Sequence, residues 1–186
     1  LARYRSVKDK RGIAFDTKRI QKLTKKRNNK INDQFHKISR KIINYCVDNN
    51  LGTIIIGYNR FWKQKINMGR RNNQKFVQLP YFKLISQVQY KSKLVGIAVI
   101  LEKESYTSKC SFLDNEFIQK HKKYAGKRIN RGLFRSKKGI IINADVNAGY
   151  NIIKKVIPNA VMVDGIEGIG LYPYSIAVSK FTNLIE

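Results

Sequence analysis

Apolar side chains recur at three- and four-residue steps between residues 17 and 50. This spacing places them on one face of a long helix, or of two consecutive helices. That face consists of Ile31, Phe35, Ile38, Ile42 and Cys46. Lysines and arginines occupy much of the remaining surface, and Asn49, Asn50 and Gly52 end the helical pattern. The pattern therefore predicts a long amphipathic helix with a basic outer face.

Two short β-branched runs predict buried strands at 53–56, ending at Gly57, and at 97–101. Between them we expect a polar loop at 58–78 and then a helix from Pro80 to Gly96. Its inner face would consist of Phe82, Ile85, Val88 and Leu94. A strand, a crossover helix and a second strand form a βαβ unit, in which the two strands run parallel.

The rest of the chain is less regular. Residues 105–138 are polar and predict irregular structure, 139–143 predict a third short strand, and 144–157 predict a helix that ends at Pro158. The inner face of that helix would consist of Ala144, Ala148, Ile152 and Val156. Residues 159–186 contain several glycines and predict an irregular covering segment. The whole pattern indicates an α/β fold.

Acidic residues are rare in this chain, and three features stand where strands are predicted to end: the loop at Gly57, the pair Glu102 and Glu104, and Asp145. Reactive groups gather beyond the carboxyl ends of parallel strands, and strand alternation puts Glu102 and Glu104 on one face. This spacing is equally compatible with two interpretations. In the first, one of the two glutamates binds Mg²⁺ for phosphodiester hydrolysis. In the second, both side chains are simply solvated at the end of a strand. Asp145, taken by itself, is explained by its position in the first turn of a helix, where a negative charge interacts favourably with the helix dipole.

The charge balance favours a polyanionic partner. The 186 residues carry 38 Lys and Arg against 12 Asp and Glu, a formal net charge of +26. No acid lies between Asp48 and Glu102, and none lies between Lys120 and Lys138. Nucleic acid is the preferred partner, because no segment combines this charge with the amphipathic face that membrane binding needs. A merely solvated surface is the other alternative, and no apolar run approaches the length of a membrane span.

Aromatic side chains alternate with cations in the first loop. These are Tyr58, Phe61, Trp62 and Phe76 among Arg60, Lys63, Arg70 and Arg71. Such a loop suits stacking on unpaired bases, or it folds over the core through its aromatic rings. The two cysteines cannot form a disulfide framework, which indicates a reducing cytosol. Zinc is not predicted, because Cys110, His121 and Cys46 do not supply the four ligands of a structural site.

Four ordered blocks resemble TnpB/OrfB proteins of insertion sequences: residues 26–46, 54–80, ESYTSKCSFLDNE at 104–116 and INADVNAGYNIIKK at 142–155. The resemblance extends from about residue 16 to residue 170. It implies an RNase H-like, RuvC-type nuclease domain with a target-nucleic-acid-binding insertion. It also implies DNA cleavage by three carboxylates with Mg²⁺, guided by RNA from the element's own end.

The resemblance assigns roles to individual residues. Asp145 matches the last catalytic aspartate, and Gly57 stands where the family has its glutamate, so Glu104 becomes the second catalytic carboxylate with Glu102 in reserve. Nucleic-acid contacts are expected from Arg60, Trp62, Lys63, Lys65, Arg70, Arg71, Lys127, Arg128, Arg131 and Arg135.

The resemblance also divides the chain: a basic linker at 1–16, a RuvC-like βαβ region with its preceding helix at 17–104, the insertion at 105–139, the last catalytic helix at 140–158 and a tail at 159–186. The insertion keeps only Cys110 of a zinc ribbon, so we expect it to fold without metal. No strand bearing the first catalytic aspartate precedes residue 16. We therefore expect the C-terminal part of a RuvC-type domain.

Three functions follow from these expectations. The first is the C-terminal nuclease segment of an RNA-guided DNA endonuclease, inactive alone, whose partners are DNA, guide RNA and an N-terminal half supplied by another chain. The second is a nuclease-dead RNA- and DNA-binding module of the same family. The third is a ribosome-associated basic protein. The expected location is the cytoplasm, in association with the nucleoid.

Overall fold

The computed structural model describes residues 2–59, 79–160 and 171–173, and they form a mixed α/β structure. Its helices are α1 (Ala2–Lys10), α2 (Lys18–Asp48), α3 (Tyr81–Leu94) and α4 (Ala144–Val156). Its strands are β1 (Thr53–Tyr58), β2 (Ala98–Lys103), β3 (Lys127–Asn130), β4 (Leu133–Arg135) and β5 (Ile141–Asn143). None of the helices in these ranges is long and apolar enough to cross a bilayer.

The described residues form two compact units. The helical unit contains α1, α2 and α3, and the mixed unit contains all five strands and α4. The segment expected to be a linker contains α1, because its run of Ala, Arg and Lys favours a helix until Gly12, where φ is +63°.

Helix α2 confirms the long helix predicted from the periodicity. It begins after Thr17, whose hydroxyl accepts a hydrogen bond from the Ile20 backbone N–H at 3.3 Å. The predicted inner face is shifted around the axis. Phe35 and Cys46 are buried, but Ile31, Ile38 and Ile42 are only half-buried, because Ser39 and Ile43 occupy the centre of the buried face.

The predicted inner face of α3 is wrong except at Val88. Leu94 is 73% exposed and Phe82 is also exposed, whereas Gln87, Lys91 and Ser92 are buried. These polar side chains are tolerated because α2 provides partners for some of them. Lys91 Nζ donates to the His36 carbonyl at 2.8 Å and to Ser39 Oγ at 2.7 Å, and Gln87 Nε2 donates to Asn32 Oδ1 at 3.3 Å. Burial and the charge of Arg40 lower the pKa of the Lys91 ammonium.

Strands β1 and β2 pair in parallel, as the βαβ pattern predicts. Their register runs from Thr53 opposite Ala98 to Tyr58 opposite Lys103. The prediction that both are buried strands is wrong within the described residues. No residue of either strand is fully buried, and Ile100 and Leu101 are exposed.

Strands β3 and β4 lie where the sequence predicts irregular structure, and β5 confirms the short strand predicted at 139–143. Strands β3, β4 and β5 form an antiparallel sheet in that order, so β5 does not extend the parallel pair. Its core contains Phe112, Leu113, Phe134, Ile142 and Ala144, and Val146, Tyr150 and Leu171 pack against it. Leu171 belongs to the predicted covering segment, and the neighbouring Tyr172 hydroxyl donates to the Ile141 carbonyl at 3.4 Å.

Candidate metal centre and nucleic-acid interface

The side chain of Glu104 lies directly against the backbone of β1 at Gly57. A β-carbon at position 57 would stand 2.6 Å from Glu104 Oε1 and 2.6 Å from Ile152 Cδ1 on helix α4. Real β-carbons do not approach other atoms so closely, so a larger residue at position 57 would require the ends of the Glu104 and Ile152 side chains to turn aside. The end of β1, the residue that follows β2 and helix α4 therefore meet at this point.

Glu102 is held by a cation instead. Its carboxylate lies 2.6 Å from Lys155 Nζ, and the same ammonium donates to the Lys103 carbonyl. The hydrogen bond and charge of Lys155 lower the pKa of the Glu102 carboxyl. A carboxylate that is already paired with an ammonium is a poorer metal ligand, which favours Glu104 over Glu102.

The turn after β2 fixes the backbone at Glu104. Its carbonyl accepts hydrogen bonds from the Thr107 hydroxyl at 2.9 Å and from the Thr107 backbone N–H at 3.3 Å. Tyr106 adopts a φ of +64° within this turn. The glutamate is thus positioned by a hydrogen-bonded turn rather than by the strand itself.

Asp145 lies in the first turn of α4. The side chain of Asn143 caps this helix, because its Oδ1 accepts from the backbone N–H groups of Asp145 at 2.9 Å and Val146 at 3.2 Å. The Asp145 side chain is exposed at the positive end of the helix dipole. Asp145 and Ile152 are seven residues apart, which puts them on one helix face and about 10 Å apart along the axis.

Two buried asparagines connect this helix to the turn that positions Glu104. Asn147 accepts from the Phe112 backbone N–H and donates to the Cys110 carbonyl, both at 2.9 Å. Asn151 donates to the carbonyls of Thr107 at 2.9 Å and Cys110 at 2.8 Å. The segment that begins with Glu104 and the helix that begins with Asp145 are therefore tied together by side-chain amides.

The burial of these two amides was not predicted from the sequence, where the positions of apolar residues defined the inner face. The predicted face consisted of Ala144, Ala148, Ile152 and Val156, but only Ala144 is buried, together with Asn147 and Asn151. The available signal was the asparagines of NADVNAGYN at four-residue spacing, since asparagine is unfavourable inside a helix unless its amide has partners.

Carboxylate oxygens at Glu104 and Asp145 are ligands of the type that Mg²⁺ prefers, and Mg²⁺ is commonly bound through one or two carboxylates plus water and substrate phosphate. Among the described residues Glu104 takes part in no ion pair, so its carboxylate fits such a ligand. In the described ranges, no group of three or more His, Cys, Asp and Glu side chains could hold a metal ion. These ranges thus supply two candidate ligands rather than three.

The insertion is held together by side-chain contacts to its backbone. The Glu116 carboxylate accepts from the backbone N–H groups of Ser111 at 2.7 Å and Ala125 at 2.9 Å. The buried Cys110 thiol donates to the Phe117 carbonyl at 3.4 Å, and burial raises its pKa. The thiol thus contributes to the packing of the insertion and to the hydrogen bonds that hold its backbone.

The predicted cations of the insertion lie around the β3–β4 hairpin. All four are exposed, and none takes part in an ion pair within the described part of the chain: Lys127, Arg128, Arg131 and Arg135, called the hairpin cluster below. Lys127 stands directly opposite Arg135 in the register. Like charges across a strand pair repel, so this surface is suited to an anion.

The predicted contacts of the first loop cannot be compared with the structure. Arg60, Trp62, Lys63, Lys65, Arg70 and Arg71 lie outside the described residues. Their roles remain predictions.

Comparisons with known proteins identify two family models and a structure of similar fold. Residues 2–63 match the family model OrfB_IS605, described as "Probable transposase", and residues 81–152 match the family model of the Cas12f1-like TNB domain. A cryo-EM structure of a Cas12f1–sgRNA–target DNA complex is similar in fold, with a TM-score of 0.57 at 23% identity. The alignment covers 73% of this chain and 36% of that one. No curated protein sequence matches the chain.

Proposed function

Because the chain belongs to the TnpB/OrfB family of insertion-sequence proteins, we propose that it is the C-terminal nuclease segment of a transposon-encoded, RNA-guided DNA endonuclease. The β1–β2 pair, α4 and the preceding residues would form part of an RNase H-like, RuvC-type domain. Residues 105–139 would be its target-nucleic-acid-binding insertion. The chain would act in the cytoplasm, at the nucleoid.

The contact between Glu104 and Gly57 supports this proposal most strongly. The family's second catalytic carboxylate would extend from position 57, and here the Glu104 carboxylate occupies the space beside that position. The carboxylate is thus supplied by the neighbouring strand end instead of by β1. Asp145, on the helix that also contacts Gly57 through Ile152, would be the last catalytic aspartate.

Glu104 and Asp145 would each be a ligand of Mg²⁺, in a site that would hold two metal ions when complete. When bound, Mg²⁺ supplies activation of water and stabilisation of the leaving oxygen. Lys155 would keep Glu102 charged but out of the ligand set. The asparagine contacts from α4 would keep the Glu104 turn and Asp145 at a fixed separation.

We propose that the hairpin cluster and the basic first loop bind the phosphates of DNA and guide RNA. Cations without carboxylate partners give up no ion pair when phosphate binds, and they release counterions from the nucleic acid. In RNA-guided nucleases, base pairing reads the sequence and the protein reads shape and charge. Exposed Lys and Arg side chains on a short hairpin are suited to contacts with phosphates that do not depend on the base sequence.

The first catalytic aspartate would come from a segment outside the residues that the structure describes. The described residues offer two candidate carboxylates, and the chain spans 36% of the length of the Cas12f1 chain that it resembles. The same shortage of carboxylates favours the second candidate function, a nuclease-dead RNA- and DNA-binding module. We expect no cleavage by the isolated chain under either function.

A complementation assay separates the two functions. The chain is co-expressed with a family N-terminal segment that bears the missing aspartate, and Mg²⁺-dependent cleavage of target DNA is measured with guide RNA present. The endonuclease proposal predicts cleavage by the wild type and by Glu102→Gln, and loss of cleavage in Glu104→Gln and Asp145→Asn. Unchanged binding without cleavage would support the nuclease-dead module. Cleavage by the isolated wild-type chain would contradict the expected need for a partner.

A further inference from the structure

One aromatic ring in the insertion is exposed although its backbone is firmly held. Phe117 is 80% exposed, and neither the hydrophobic core nor a ring contact in the described part of the chain includes it. Its carbonyl accepts hydrogen bonds from His121 Nε2 at 2.8 Å, from the Gln119 backbone N–H at 3.0 Å and from the Cys110 thiol at 3.4 Å. The structure therefore fixes the backbone beneath a ring that contacts solvent.

The residue before it is equally restrained. The Glu116 backbone N–H donates to the Ser111 carbonyl at 3.1 Å, and Lys154 Nζ donates to the Glu116 carbonyl at 3.4 Å. A single exposed apolar side chain is ordinary on a protein surface. What distinguishes Phe117 is that hydrogen bonds hold its backbone. A residue with a fixed backbone loses less conformational entropy when a ligand binds its side chain.

The charges around the ring favour an anionic partner. Three exposed lysines follow within six residues: Lys120, Lys122 and Lys123. The two acids that precede Phe117 are engaged by backbone N–H groups, because Asp114 accepts from Lys137 at 2.7 Å and Glu116 from Ser111 and Ala125. The surface therefore combines an aromatic face on a fixed backbone with three exposed lysines, which outnumber the two carboxylates that precede the ring.

We propose that Phe117 is a base-stacking residue, which binds an unpaired nucleobase while the neighbouring lysines contact the adjacent phosphates. An aromatic face beside cations is the arrangement that binds single-stranded nucleic acid with little sequence preference. The inference rests on the proposed function, since it specifies how the insertion contacts its nucleic acid. An unpaired base is required because a paired base within a duplex has no free face.

The test uses the full chain and a single-stranded DNA that carries the fluorescent base 2-aminopurine. Stacking on Phe117 would change the fluorescence of this base on binding. Phe117→Ala is expected to remove that change and to weaken binding about 5- to 150-fold, since stacking on one aromatic contributes roughly 1–3 kcal/mol. Phe117→Trp is expected to restore both, and Phe117→Leu, which is apolar but not aromatic, is not.

Two controls keep the result specific. Phe15 is 85% exposed in the other compact unit, so Phe15→Ala should leave binding unchanged. Lys122→Gln should reduce the salt dependence of binding, whereas Phe117→Ala should leave that dependence unchanged, because only the lysine displaces counterions.

The outcomes are distinguishable. Unchanged binding and fluorescence in Phe117→Ala, with weaker binding in Lys122→Gln, would overturn the stacking role and leave the nucleic-acid function standing. Wild-type affinity and fluorescence change in Phe117→Leu would also overturn it, because the contact with DNA would then not require an aromatic face. Failure of the wild type to bind any nucleic acid would instead overturn the proposed function together with the inference.

Discussion

The Glu104 carboxylate lies where a side chain at position 57 would begin, 2.6 Å from the β-carbon that glycine lacks. A carboxylate that extended from the end of β1 would enter the space that the Glu104 side chain occupies, so Glu104 would have to turn aside. In parallel strands the paired ends lie side by side, so moving the acid from one strand to the next keeps it at the same edge of the sheet.

Substitution of Gly57 by alanine tests this relationship. The added methyl would displace the ends of the Glu104 and Ile152 side chains, which are flexible, so we expect Gly57→Ala to lower the free energy of unfolding by about 0.5–1 kcal/mol. Urea denaturation of the purified chain measures the change. Gly52→Ala is the matched control, because nothing lies within 4 Å of its β-carbon position. Equal effects of the two substitutions would show that the Glu104 contact is not close in solution.

The asparagine contacts of α4 predict a large effect on stability from an uncharged substitution. Asn147→Ala would leave the Phe112 N–H without its partner and remove one of the donors to the Cys110 carbonyl. We expect a loss of about 2–4 kcal/mol of unfolding free energy, since each unsatisfied buried group costs about 1–3 kcal/mol. Asn29→Ala, at an exposed position of α2, should change stability little. A loss below 1 kcal/mol at Asn147 would contradict the described hydrogen bonds.

Local patterns in the sequence were sufficient to predict helix α2 and the parallel pairing of β1 with β2. A 31-residue helix repeats its apolar face many times, and the strand–helix–strand order restricts the pairing. These features depend on neighbours in the sequence. The Glu104–Gly57 contact was approached only through the resemblance, because the sequence pattern alone left Glu104 as a ligand or a solvated residue.

Partners that are distant in the sequence explain why the inner faces of α3 and α4 were predicted wrongly. Lys91 and Asn147 are polar, so an apolar pattern does not place them in the core, but each donates a hydrogen bond to a segment more than 30 residues away. Strands β3 and β4 contain three or four residues each and are rich in cations, so no alternation marks them. In this pair of strands only Phe134 on β4 is fully buried. A single buried residue does not produce the alternation of apolar and polar positions that predicts a strand.

The ion pair between Glu102 and Lys155 predicts a pH dependence. Lys155 lowers the pKa of Glu102 in the folded chain, so this carboxylate stabilises the fold above its unfolded pKa of about 4.3. That contribution is lost as the pH falls through the lowered folded pKa. We expect Lys155→Met to raise the pKa of Glu102 and to remove this part of the acid sensitivity. Carboxyl chemical shifts and urea midpoints across the acid range measure both effects.

The control for this pair is another lysine in an ion pair. Lys37 lies 3.0 Å from Asp33 on α2, and both side chains are largely exposed. Lys37→Met should leave the Glu102 titration unchanged and should alter stability little. A Glu102 pKa that stays low in Lys155→Met would show that another group holds the charge of this carboxylate.

The hairpin cluster predicts opposite effects on stability and on binding. Lys127 repels Arg135 across the β3–β4 pair, so Lys127→Gln should raise the unfolding free energy by about 0.2–1 kcal/mol at low salt. The same change should weaken binding to nucleic acid and reduce the slope of log affinity against log salt by about 0.9. Denaturation and binding titrations at several salt concentrations measure the two effects. Lys37→Gln should produce neither, because Lys37 is paired with Asp33. A less stable Lys127→Gln variant with an unchanged salt slope would mean that this lysine supports the hairpin and does not contact phosphate.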